Sequence, residues 1–180
     1  QVVAEWLKLA TGSHTISQGL SITGDVEFGV AATVSAAQIA IDGNVLAAVG
    51  GLDLNFQATA GDLVVAGTLG AGTPFRSLVI TNARNARFDG YLTLSGDFSQ
   101  IAGSGTTQLA SASIDGSLAI TTSSVQLAGS SLMVGSFVSL QAQNAVFVAG
   151  EVEVGGRFEA RANLDGIGSE GFAQAVDGFI

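Results

Sequence analysis

The sequence predicts an all-β protein built as a parallel β-solenoid, with coils of roughly 20 residues. Three observations carry that expectation. A short phrase hinged on glycine keeps returning, as SITGDVEF at 21–28, AIDGNVLA at 40–47, RFDGYLTL at 87–94, SIDGSLAI at 113–120 and FVAGEVEV at 147–154. Around each hinge, apolar and polar residues alternate with the period of a strand. The composition is also that of strands and corners: 47% hydrophobic but only 7% aromatic and 12% charged, with 25 Gly and one Pro in 180 residues.

Taken in order, VVAEWLKLA at 2–10 is too continuously apolar to assign to helix or strand. Because an open coil end exposes unpaired N–H and C=O groups, residues 1–19 are expected to form a cap or joining segment. Residues 20–166 carry the hinges Gly24, Gly43, Gly67, Gly90, Gly116, Gly129, Gly150 and Gly166, at spacings of 19, 24, 23, 26, 13, 21 and 16, and are expected to be the solenoid. The last stretch, 167–180, ends on Phe179 and Ile180 and lacks a polar capping face. It reads as a joining segment, to a longer chain or to another subunit.

A stricter pattern lies inside the repeat: Gly, five residues, Gly, one residue, then a large apolar side chain. It occurs as Gly90, Gly96, Phe98, then as Gly129, Gly135, Phe137, and again as Gly150, Gly156, Phe158. A fourth copy, Gly61, Gly67, Leu69, replaces Phe by Leu. Between the two glycines, Leu92 and Leu94, Val152 and Val154, and Leu63 and Val65 fall on one face of a short strand. Glycine at each end permits a sharp corner. Equal spacing then places Phe98, Phe137 and Phe158 in one internal stack, with coils about 4.8 Å apart.

Hairpins fit poorly, since one bare glycine is shorter than the usual two-residue turn and no Asn-Gly occurs. A β-sandwich is the structural alternative, because evenly spaced short strands also suit it. An outer-membrane barrel would need aromatic girdles that one Trp and one Tyr cannot build. No apolar run is long enough for a spanning helix.

A net charge of −9, with six basic residues, argues against nucleic acid as a partner. The absence of Cys excludes disulfides and thiolate metal sites. With so few charges, the water-facing positions must be largely Ser, Thr, Gln, Asn and Ala, a surface suited to a fibre.

The stretch 73–129 resembles repeats of giant bacterial surface proteins of the filamentous-haemagglutinin-like kind. The residues that carry the resemblance are Pro74 to Ile80, Gly96 to Gln100 (GDFSQ) and Gly105 to Leu109 (GTTQL). It covers about a third of the chain. The resemblance implies a right-handed parallel β-helix in a secreted or cell-surface fibre or adhesin. The Asn-Pro signature of the exported module of two-partner secretion is missing, so the segment would be shaft. The Gly-Asp calcium nonapeptides of toxin-type β-rolls are missing too.

Aspartates flank the corner glycines: Asp42, Asp89, Asp115 and Asp165 precede one, and Asp25, Asp62 and Asp97 follow one. A column of carboxylates could hold Ca²⁺ or a sugar. Turn chemistry, with Asp bonding its own backbone, explains them more simply. A pectin-lyase-like enzyme would set acids beside Arg in a groove, with Asp89, Arg84 and Arg87 or Arg157, Glu159 and Arg161 as the nearest groups. The second set alternates along one outer face and reads as a mutually paired surface. His14 is the lone His, without a second ligand or base beside it. Thr93, Thr121 and Thr122 do not repeat at the fixed spacing an ice-ordering face needs.

The expectation is therefore an extracellular structural fibre or adhesin segment, stacking end to end with itself or within a longer parent chain. No catalytic residue, metal or cofactor is expected, and surface glycans are the candidate ligands. A carbohydrate-binding or polysaccharide-active β-helix is the second class, although Trp6 and Tyr91 are the only polar aromatics to serve it.

Overall fold

The computed structural model describes residues 2–163 and the strand Ala173–Val176. The expected corner at Asp165 and Gly166, and the joining segment apart from that strand, lie outside the described residues. Every regular element among the described residues is a strand, and the strands wind into about eight coils with three faces each.

Coil one holds β1 (Val2–Ala4), β2 (Leu7–Leu9) and β3 (Ser13–Ile16); coil two holds β4 (Leu20–Ile22), β5 (Val26–Phe28) and β6 (Ala32–Ala36). Coil three follows with β7 (Ile39–Ile41), β8 (Val45–Ala47) and β9 (Asp53–Ala58). In coil four, β10 (Leu63–Val65) and β11 (Ser77–Asn82) flank a second face reduced to bridges at Leu69 and Phe75. From coil five the strands lengthen and turn corners. They are β12 (Ala86–Leu94), β13 (Phe98–Gln100), β14 (Thr106–Ile114), β15 (Leu118–Leu127), β16 (Ser131–Val134), β17 (Val138–Ala149), β18 (Glu151–Val154) and β19 (Phe158–Arg161). Strand β20 (Ala173–Val176) lies on the first face above β17.

All pairings are parallel and join a strand to its counterpart one coil on. This excludes the sandwich alternative, whose sheets are antiparallel. Residues 2–16, expected as a cap or joining segment, form a coil of their own: β1, β2 and β3 each pair with coil two.

Period-two alternation sets what is inside. Strands β4, β5, β7, β8 and β10 each bury their first and third residues and half-expose the second. Stacking then makes axial columns. On the first face, Ile22, Ile41, Val65, Phe88, Leu109, Leu127 and Val148 lie in register. On the third face the column runs Leu54, Leu78, Phe98, Leu118, Val138 and Phe158. Phe rings meet edge to face, Phe88 on Phe98 at 5.9 Å between two columns and Phe28 on Phe75 at 6.0 Å within one second-face column. The second contact joins coils two and four across coil three, whose second-face strand ends on the small Ala47.

The hinge glycines Gly24, Gly43, Gly67 and Gly90 form a column at the corner between first and second faces. A Cβ on Gly43, Gly67 or Gly90 would run into the carbonyl of the glycine one coil before. Close backbone approach, not left-handed φ, is what demands glycine here: only Gly51, Gly70, Gly72 and Gly150 have positive φ among the described glycines.

Candidate functional site

The stack predicted from the Gly–Phe spacing forms in part. Phe98 is fully buried and Phe158 packs against the core in the same third-face column, with Leu118 and Val138 between them. Gly96 and Gly156 precede them at one corner, in line with Gly116 and Ser136. Phe137 does not join. The column position belongs to Val138, and Phe137 is 46% exposed. Gly129, Gly135 and Phe137 sit one residue early in their coil, and a one-residue slip turns a side chain to the other face of a strand.

The copy at Gly61, Gly67 and Leu69 is displaced further, since Leu69 pairs with Val45 and Leu92 on the second face, not the third. The spacing of six between glycines thus measures one face of the triangular coil, not one coil.

The corner aspartates separate by their order with glycine. Asp25, Asp62 and Asp97, which follow glycine, each accept from a backbone N–H one coil on: Asn44 N at 2.7 Å, Asn85 N at 3.2 Å and Ser117 N at 2.8 Å. The sequence reading had these groups bonding their own turn; instead they tie successive coils together.

Two ladders continue the pattern. Asn44 also donates its Nδ2 to Asp25, and its Oδ1 accepts from Thr68 N and Oγ1 at 2.9 and 2.8 Å. Asn85 likewise donates Nδ2 to Asp62 at 2.9 Å, and its Oδ1 accepts from Thr106 N at 2.8 Å. Each ladder residue immediately precedes the first inward residue of its strand, whether Val26, Val45 and Leu69 or Leu63, Ala86 and Thr107. That spacing was a signal in the sequence, hidden by unequal coil lengths.

The arginines singled out from the sequence are each paired with an acid. Arg84 reaches Asp62 through Nε and Nη2, both at 2.9 Å, and so is not Asp89's partner. Arg87 takes Asp89, with Nε at 3.0 Å. Arg157 and Arg161 clasp Glu159 from both sides at 2.6 and 2.5 Å. Arg76 and Ser77 hold Asp53. The Arg84 guanidinium, with Asn85, outweighs partial burial and brings Asp62 down to about 2; Arg76 lowers Asp53 in the same way. A carboxylate held ionised in this manner is an ion-pair partner and a poor general acid at neutral pH.

His14 occupies an inward position in line with Val34, at the open edge of coil one, and its Nε2 donates to the Thr11 carbonyl at 2.7 Å. Around it lies a concavity of about 400 Å³ lined by Leu7, Leu9, Ile16, Leu20 and Val34. On the outer first face a smaller hollow of about 250 Å³ is bordered by Asp62, Asn85, Arg87, Thr106 and Gln108. Among the described residues, no group of three His, Cys, Asp or Glu side chains is placed to hold a metal ion. No described helix is long and apolar enough to cross a membrane.

Sequence reasoning missed a polar cluster inside the solenoid, Gln100, Thr107 and Thr122, all nearly fully buried. Only the inward phase of their strands, counted through corners of unknown length, could have revealed it. No family model, curated protein or solved structure matches the chain.

Proposed function

We propose that the chain is a structural segment of an extracellular fibre or adhesin, a shaft of stacked coils of the filamentous-haemagglutinin-like kind. The observation that carries this reading is axial continuity: the first and third faces are parallel ladders from coil to coil, the second continues through single bridges in coil four, and the interior columns pack side chain on side chain. Such a ladder resists bending and stretching because many backbone hydrogen bonds must yield together.

The motifs behind the resemblance fall on corner-and-strand units: Pro74 to Ile80 leads into β11, Gly96 to Gln100 into β13, and Gly105 to Leu109 into β14. The edge of coil one, with a concavity lined by both apolar side chains and Ser13, His14 and Thr15, has the form of a surface on which another coil stacks. Stacking by a second copy through its opposite end is heterologous and open, which makes filaments.

Electron microscopy with sedimentation velocity across a concentration series tests the reading. Rods that lengthen with concentration are expected. A particle of constant monomer mass at every concentration removes end-to-end assembly.

A second reading, binding of a surface glycan, is favoured by the hollow beside Arg87, where amide, guanidinium and hydroxyl groups converge. Binding suits it better than cleavage, because its carboxylate, Asp62, is held ionised by Arg84. Titration with acidic and neutral polysaccharides, with a depolymerisation assay alongside, decides it; no binding to any of them discards the reading.

A further inference from the structure

We infer that the interior of the solenoid holds one bound water at the corner formed by residues 101–105, between Gln100 and Thr122. Gln100 stands in the third-face column between Ile80 and Ile120, a place where a neutral amide needs partners for every polar atom. It is only 2% exposed. Its Oε1 is satisfied, since Thr107 Oγ1 donates to it at 2.6 Å. Its Nε2 is buried and has no partner among the described residues.

The position of Gly103 shows what lies nearby. A Cβ built there would come within 2.6 Å of both Gln100 Nε2 and Thr122 Oγ1, so these two atoms lie close to each other beside Gly103, at a separation that one bridging water spans. Thr122 Oγ1 gives its own hydrogen to the Gly105 carbonyl at 2.9 Å and keeps its lone pairs. One side of the space therefore donates and the other accepts.

A ligand for this space must accept from an amide N–H and donate to a hydroxyl oxygen, without charge. Ammonium only donates and chloride only accepts; water does both. With it in place, hydrogen bonds run in one direction from Thr107 through Gln100 and the water to Thr122 and the Gly105 carbonyl. The adjoining Ile101 is 58% exposed, so the corner has an outward-facing side by which water can exchange.

The first test is a high-resolution crystal structure of the protein, combined with water-selective cross-relaxation in NMR. Density within hydrogen-bond distance of both Gln100 Nε2 and Thr122 Oγ1, and a cross-peak between the Gln100 side-chain amide and a long-lived water, are expected. An empty space, or a Gln100 amide turned to bond directly to protein, overturns the inference.

Gly103→Ala places a methyl group in the space. It should abolish the cross-peak and lower Tm; an unchanged cross-peak puts the water elsewhere. Thr122→Val removes the water's acceptor and leaves the Thr107–Gln100 bond in place; loss of the cross-peak is expected, and an unchanged cross-peak overturns the inference.

Discussion

Coils one to four and coils five to eight solve the same geometric problem in different ways. In the early coils strands run three to six residues and stop at every corner. In the later coils β14, β15 and β17 reach 9, 10 and 12 residues and carry the ladder from one face round to the next.

The difference follows the corner residues. At the corner into the first face of coil five, the N–H of Asn85 is taken by the Asp62 carboxylate, so the backbone ladder is interrupted. At the matching corner two coils on, Ser124 N donates to the Gly105 carbonyl, and pairing resumes after a bulge at Thr122–Ser124. A side-chain acceptor ends a strand; a small residue lets it bend and continue. Close backbone approach at glycine is common to both halves: the column Gly24, Gly43, Gly67 and Gly90 runs into coil five, and Gly129, Gly135 and Gly150 meet the preceding coil's backbone at late corners.

The contrast can be broken where it is strongest. Gly67→Val drives a branched side chain into the Gly43 carbonyl, and a loss of at least about 3 kcal/mol is expected, against under about 0.5 kcal/mol for Ser123→Ala at a late corner. Urea denaturation of both variants checks this. Equal losses would mean that the corner at Gly67 is no tighter than the corner at Ser123.

Next come the two phenylalanines of one sequence pattern. Phe98→Ala empties a fully buried site and should cost about 3–5 kcal/mol. Phe137→Ala, on the outside, should stay within about 0.5 kcal/mol. A large loss at Phe137 would return it to the core and overturn the register described for coil seven.

The smallest effect sharpens the role of side-chain ladders. Asp62→Asn removes the charge that Arg84 and Asn85 hold. Because Asp62 titrates near 2 when folded and near 3.8 otherwise, its contribution is fully present above about 4 and is lost as pH falls through about 2. More than half of the Arg84 side chain is exposed, so solvent screening keeps the effect small. The gap between wild type and variant in urea midpoint should therefore be visible at pH 6 and mostly lost at pH 2. A gap undiminished at pH 2 assigns the loss to packing instead.

The fold was legible because its two signals are local. Alternation of Leu92 and Leu94 with Thr93, and a glycine at each hinge, need no knowledge of distant chain. The bonding of Arg157, Glu159 and Arg161 was legible for the same reason, being confined to one strand face and its corner. The roles of Asp25, Asp62 and Asp97 were not. Their partners lie 19, 23 and 20 residues away, a distance fixed by how many residues each intervening corner consumes.

By itself, then, the sequence determined that this protein coils and that successive residues of a strand alternate between inside and outside. Side-chain alternation is a property of the extended backbone, so those features hold whatever the neighbours do. Only the tertiary structure decided which coil residue meets which. Corner lengths vary, every added residue reverses the inward phase, and that count puts Phe98 inside, Phe137 outside and Gln100 in the core.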